Sequence, residues 1–164
     1  MPADLTAGLE YNEDYLRDNM WGYGRQTDQT VRIASAYAQN EWKNEKWGIL
    51  IGGRLDKHNL MDGLIFSPRA NIRYNPTANI NFRASYSYGF RAPQAFDEDL
   101  HIDNVGGTVS MIRLAEDLSV EKSQSVSISA DLYRNWGEWQ GNFLVEGFFT
   151  DLDDVFALKE IGFE

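Results

Sequence analysis

From Ile80 to Arg91 the chain alternates apolar or aromatic residues with polar ones for twelve positions. Successive side chains of a β-strand point to opposite faces. Ile80, Phe82, Ala84, Tyr86, Tyr88 and Phe90 therefore share one face, and Asn81, Arg83, Ser85, Ser87 and Arg91 the other. The same period recurs and predicts about seven strands, near Leu5 to Asn12, Val31 to Trp42, Trp47 to Asp56, Phe66 to Tyr74, Ile80 to Arg91, Ser123 to Arg134 and Trp139 to Thr150. Most have the length that a tilted strand needs to cross a membrane. One face suits lipid and the other a wet lumen. The strand from Val31 to Trp42 leaves its facing open, because Ala34, Ala36 and Ala38 stand in the phase opposite Val31, Ile33 and Tyr37.

The connections carry a separate signal. Lys43-Asn44-Glu45-Lys46, Asn75-Pro76-Thr77-Ala78 and Asn135-Trp136-Gly137-Glu138 are short and hold the Asn, Pro and Gly of tight turns. They alternate with longer loops, Glu13 to Gln29, Lys57 to Leu64, Ala92 to Lys122, and Asp151 onward. A soluble meander has no reason to lengthen every second connection, whereas an outer-membrane barrel has short periplasmic turns and long extracellular loops. On that reading the first strand runs outward and the chain ends outside. Trp42 and Trp47 flank the first short turn, Tyr74 precedes the second, and Trp136 and Trp139 lie at the third. An amphipathic ring at a membrane edge keeps its body in lipid and its polar atom among headgroups; in soluble sheets the same residues clamp hairpin ends.

Composition refines this picture. With 164 residues and 43% apolar content, the chain is long enough for one domain and too apolar for disorder. The mean hydropathy of −0.47 is that of a soluble protein, but a barrel strand averages its lipid face with its lumen face. No helical span exists, since the most apolar stretch, Trp47 to Gly53, is far too short. Fifteen Lys and Arg stand against 25 Asp and Glu, which disfavours nucleic acid and anionic surfaces as partners. There are no cysteines, so neither a disulfide nor a Cys-based metal or redox site is possible. Met1-Pro2-Ala3 runs straight into strand-like text without a secretion signal. An exported protein would then be present here as a fragment or a trimmed chain.

Particular words of the sequence now stand out. Tyr37-Ala38-Gln39-Asn40-Glu41-Trp42, Gly53-Arg54-Leu55-Asp56, Ser67-Pro68-Arg69 and above all Tyr88-Gly89-Phe90-Arg91-Ala92-Pro93 resemble, in order and spacing, the barrel region of TonB-dependent outer-membrane receptors. Leu118-Ser119-Val120-Glu121-Lys122-Ser123 is similar to that family's L-x-P-E-x-S start of a strand, with Val120 in place of the usual Pro, and Gly147 to Val155 resembles the following strand and its outward end. The resemblance spans nearly the whole chain. It implies a barrel of about 22 strands around a plug, in the outer membrane of a Gram-negative bacterium, which takes up a scarce nutrient such as a siderophore or other metal chelate, cobalamin or a glycan. It implies as partners the lipid bilayer, the plug, the remaining strands, and TonB through the plug. Residues 1–164 would be a partial barrel, an open, curved antiparallel segment, because an odd number of strands does not close a bacterial single-chain barrel. Phe90, Arg91, Ala92 and Pro93 are the family motif at a strand end.

Catalysis finds no support: His58 and His101 lie in different loops and no nucleophile is paired with a base. Asp97-Glu98-Asp99 with Asp103, and Asp151, Asp153 and Asp154, lack the spacing of a calcium loop and read as solvated acids. No metal or cofactor is expected. The segment from Ala92 to Lys122 is long, has no strands of its own in this reading, and holds Phe96, His101 and Arg113, a mixture that can stack on and hydrogen-bond to a polar ligand. Trp21, Tyr23 and Arg25 make the first loop a similar candidate. Of Arg32, Arg54, Arg69, Arg73, Arg83 and Arg91 at least four fall on the polar face, where pairing with Asp56, Asp131 and Glu146 across neighbouring strands is expected ahead of pairing with plug acids. The competing class is a secreted or surface β-domain that binds carbohydrate through exposed aromatics.

Overall fold

The structure, a computed structural model, describes residues 1–94, 103–105, 108–110, 115 and 118–157. Seven strands form one antiparallel sheet: β1 (Ala3–Met20), β2 (Arg25–Lys43), β3 (Trp47–His58), β4 (Ile65–Thr77), β5 (Ile80–Arg91), β8 (Glu121–Trp136) and β9 (Trp139–Asp153). Sequence neighbours pair throughout, in the order β1-β2-β3-β4-β5-β8-β9, so the architecture is an all-β meander curled into a half-barrel. Two further strands, β6 (Asp103–Val105) and β7 (Thr108–Ser110), form a separate hairpin between β5 and β8. The segment 92–122 therefore does contain strands, contrary to the expectation from its irregular text.

Register fixes the faces, because directly opposed residues lie on the same side of a sheet. Tyr74↔Phe82, Ile72↔Ala84 and Ala70↔Tyr86 continue across β5 as Phe82↔Ala130, Ala84↔Ile128 and Tyr86↔Val126. In β2, Ala36 opposes Leu9 on one side and Leu55 on the other. The alanine phase thus belongs to the apolar face, which settles the facing of this strand. The polar face is the concave one, and burial follows from that. Along β8, Ser123, Ser125, Ser127 and Ser129 are half-buried, whereas Val126 and Ile128 are 45% and 62% exposed. A water-soluble sheet buries its apolar face; this one presents it.

One predicted boundary fails by a wide margin. Glu13 to Gln29 is not a loop: β1 and β2 remain in register up to Met20↔Arg25, closed by a 3₁₀ turn at Trp21–Tyr23. The outward apolar series ends near Tyr11 and Ala34; beyond it the outward positions are mostly polar or charged while Leu16, Val31 and Ile33 take the inward phase, so the alternation that marks the wall is lost while the backbone ladder continues. Cross-strand pairs hold the extension. Arg17 donates to Asp28 at 3.0 Å, as does the Tyr15 hydroxyl, and Arg32 pairs with Glu13 at 3.3 Å. The hydrogen bond from Arg17, then that from Tyr15, holds the Asp28 carboxyl below the usual carboxylate range.

The second short turn is also shifted. β4 continues to Thr77 through a register slip between Tyr74 and Thr77, where Pro76 cannot donate to the ladder, and the turn is Ala78-Asn79. At the first, the Asn44 side chain accepts from the amides of Lys46 and Trp47. The third needs only Gly137 and Glu138, with Gly137 at φ +61°. All three close the same end of the sheet.

Candidate functional site

The concave face carries a built polar network across β1, β2 and β3. Asp56, 2% exposed, accepts from Arg54 Nε at 2.7 Å and from the Ser35 hydroxyl at 2.5 Å. The other Arg54 nitrogens reach Glu10 at 2.8 and 3.2 Å and Ser35 Oγ at 2.7 Å. One guanidinium so holds three strands together, its fixed fork of donors matching two carboxylates and a hydroxyl. Further round the wall, Arg69 donates to Gln39, and Ser85 and Ser127 share a hydrogen bond of 2.7 Å.

Five of the six arginines singled out above, Arg54, Arg69, Arg73, Arg83 and Arg91, share the phase of the concave face; Arg32 stands in the opposite phase. Asp56 does pair with an arginine, but with Arg54 of its own strand and not across strands as expected; the cross-strand acid is Glu10. Asp131 instead accepts from Asn142 at 2.8 Å and from the Tyr133 hydroxyl at 3.4 Å.

At the long-loop end a second cluster forms. His58, 1% exposed, accepts from the Leu60 amide through Nδ1 at 3.1 Å, which assigns the proton to Nε2, and Nε2 lies 3.1 Å from Gln94 Oε1. Asn59 prolongs the pairing of β3 with β2, its side chain donating to the Thr30 carbonyl and accepting from the Arg32 amide, both at 2.8 Å. Ala92 is buried, and the Arg91 guanidinium lies over the Phe156 ring at 5.5 Å from its centroid. Phe90-Arg91-Ala92-Pro93 thus closes β5 against the 57–64 connection through Gln94, and against the segment after β9 through Phe156. Sequence reading placed His58 in a loop and assigned Gln94 no partner.

Trp21 is exposed at the hairpin tip beside Tyr23, and Arg25 opens β2 with Asp18 at 3.4 Å. Phe96, His101 and Arg113 lie outside the described residues, as do Asp97, Glu98 and Asp99. Trp42, Trp47, Tyr74, Trp136 and Trp139 all take the phase of the apolar face at the short-turn end. Trp47 stacks on Tyr74 at 4.2 Å, and Tyr74 on Phe82 at 6.5 Å.

A curled antiparallel wall that turns exposed apolar residues outward and a charged, hydrogen-bonded face inward is a segment of a transmembrane β-barrel. The description "TonB dependent receptor-like, beta-barrel" matches residues 2–162, and the chain belongs to that family. Barrels of this family are outer-membrane proteins of Gram-negative bacteria, and the family is one of transporters and receptors, not an enzyme class. The fold is similar to part of the siderophore receptor PirA from Pseudomonas aeruginosa, with a TM-score of 0.73 at 20% identity over 92% of this chain. The chain spans 29% of the length of that receptor. No curated protein matches the sequence.

Proposed function

We propose that the chain is one wall of a TonB-dependent outer-membrane receptor that imports a scarce nutrient, with a metal chelate of the siderophore class favoured over cobalamin or a glycan. The observation that carries the membrane part is the inverted burial along β8, where serines are covered and Ile128 is 62% exposed. The family match and the likeness to a siderophore receptor support the transport part. Residues 1–164 then form part of a barrel whose other strands, plug and TonB contact lie in the rest of the receptor. Trp42, Trp47, Tyr74, Trp136 and Trp139 are its aromatic girdle at the periplasmic edge, seated where their polar atoms meet headgroups.

Ligand contact falls to the outer rim. Trp21, Tyr23 and Arg25 at the hairpin tip, and Phe96, His101 and Arg113 beyond the Phe90-Arg91-Ala92-Pro93 strand end, are the residues offered for it. Cells carrying the full-length receptor as their sole uptake route, starved of iron, should grow on a ferric siderophore only when TonB is intact. No growth on any ferric chelate, with growth on cobalamin or a glycan in cells starved of that nutrient instead, would reject the nutrient; receptor missing from the outer-membrane fraction would reject the reading altogether.

A further inference from the structure

The outward face of the wall is not evenly filled. Across β3, β4, β5, β8 and β9 one outward row runs Trp47, Tyr74, Phe82, Ala130 and Val145, and the next holds Ile72, Ala84, Ile128 and Gly147. The rings of the first row stack, Trp47 on Tyr74 and Tyr74 on Phe82, and stop where Ala130 begins. Ala84, Ala130 and Gly147 are the small residues of an apolar hollow of about 510 Å³, which Phe82 and Ile128 also line. Elsewhere the chain covers its outward strand glycines itself. Phe66 lies over Gly53 and Trp136 over Gly141, the contact by which a ring shields a glycine in a sheet. At Gly147 no atom lies within 4 Å of where a Cβ would stand.

Toward the short turns a cation stands on the same face. Arg134 follows Ala130 and Leu132 in the outward phase of β8, and its guanidinium lies 5.9 Å from the centroid of the exposed Trp136 ring. No carboxylate among the described residues pairs with it. From Arg134 to Ala130 and Ile128 is about 14 to 20 Å along the strand, or roughly 10 to 16 Å of height at the tilt of a barrel strand. One leaflet of hydrocarbon is about 15 Å deep. A lipid chain whose head sits at Arg134 therefore runs out over the hollow. An extended polypeptide laid there would leave its backbone polar groups unsatisfied at membrane depth, whereas a hydrocarbon chain has none to satisfy.

We infer that the hollow seats a single glycerophospholipid from the leaflet at the short-turn end, with one acyl chain over Ala84, Ala130 and Gly147 and its phosphate on Arg134. The inference rests on the receptor reading above for the membrane itself. It adds that one lipid has a fixed place on a face that otherwise meets lipid without preference.

The test uses full-length receptor, purified from the outer-membrane fraction in alkyl maltoside micelles. The probe is a phosphatidylglycerol carrying a photoactivatable diazirine near the end of one acyl chain, with cross-linked residues mapped by mass spectrometry. Labelling should concentrate on residues 80–86, 128–132 and 145–147. Ala84→Leu with Ala130→Leu should lower it roughly tenfold, as when about two methylenes lose their contact. Arg134→Gln should lower it several-fold and Arg134→Lys should largely retain it, while Ala36→Leu, outward on β2, should leave it unchanged. Unlabelled phosphatidylglycerol should displace the probe, and a diacylglycerol with the same chains, lacking the phosphate, should not. Labelling spread evenly over the outward face, or unmoved by filling the hollow, would overturn the inference. So would displacement by diacylglycerol as readily as by phosphatidylglycerol. Wild-type receptor missing from the outer-membrane fraction would instead defeat the receptor reading beneath it.

Discussion

Ile128→Arg places a charge where the structure leaves an apolar side chain uncovered. On the outward face of β8 the apolar series is Val126, Ile128, Ala130 and Leu132, bounded by Gln124 and Arg134, so Ile128 sits near mid-height. At the bilayer midplane an outward-facing Arg costs about 2–4 kcal/mol, roughly a 30- to 800-fold loss in the folding equilibrium. Were the sheet bathed in water, the same change at a residue 62% exposed would fall within about 0.5 kcal/mol of zero. Ser127→Arg is the internal control. Its side chain points the other way and gives up one hydrogen bond, to Ser85 at 2.7 Å, worth about 1 kcal/mol. Urea titration of full-length receptor in lipid vesicles, followed by tryptophan fluorescence and by the mobility shift of heated against unheated protein, reads both variants. Equal costs for the two neighbours, or a larger one for Ser127→Arg, would refute the assignment of faces.

Asp56→Ala removes the buried acceptor shared by Arg54 and Ser35 and should cost about 2–3 kcal/mol by the same titration, short of the full penalty for stranding a buried charge because Glu10 still holds Arg54. Asp56→Asn should cost clearly less; a cost equal to that of Ala would show that a neutral acceptor at this position does nothing for Ser35 and Arg54. His58→Ala deprives the Leu60 amide and Gln94 of their partner and should raise the rate of proteolysis in the 57–64 connection several-fold, with little change at the short turns. For the outer extension of β1 and β2, the sign follows from Asp28. Its carboxyl titrates below the ordinary value of 3.8, so the pair with Arg17 contributes fully above that value and is lost as the pH falls through the lowered one. Trp21 fluorescence at the hairpin tip should therefore stay flat from neutral pH to about 4 and change only below, and Asp28→Asn should abolish that change.

What could be read from the text depended on whether the two faces differ in chemistry. β5 was legible to the residue, Ile80–Arg91, because apolar and polar positions alternate along its whole length. The outer halves of β1 and β2 were not, since above Tyr11 and Ala34 the outward positions turn polar while Leu16, Val31 and Ile33 stand on the other phase, and the outward side of the ladder is kept by Arg17–Asp28 and Arg32–Glu13 instead. The facing of Val31 to Trp42 could not be settled alone, because alanine fits either face; only its neighbours Leu9 and Leu55 decide. The polar network was out of reach for a different reason. Glu10 and Arg54 are 44 positions apart, and the intervening hairpin carries no mark that brings them together. A signal for the outer cluster did exist: Gln94 directly follows the Phe90-Arg91-Ala92-Pro93 strand end, where a side-chain amide held against a neighbouring loop is a natural anchor.

The charge of the chain shows why composition alone misled about what the inner face can bind. Its formal net charge is −10, yet the inward faces of β4 and β5 hold arginines without acids. The acids are elsewhere. Glu13, Asp14, Asp18 and Asp28 belong to the β1–β2 extension, Asp62 to the 57–64 connection, and Asp151 and Asp153 to the outer end of β9. On these two strands the inward charge is positive, and the acid level with Arg73 and Arg83 is Glu146, two strands away on β9. Screening acts over about 8 Å at physiological salt, and the strands carry these groups farther apart than that. An anion deep in the lumen therefore feels Arg73 and Arg83 far more than the rim, and the net charge, a sum over both regions, describes neither.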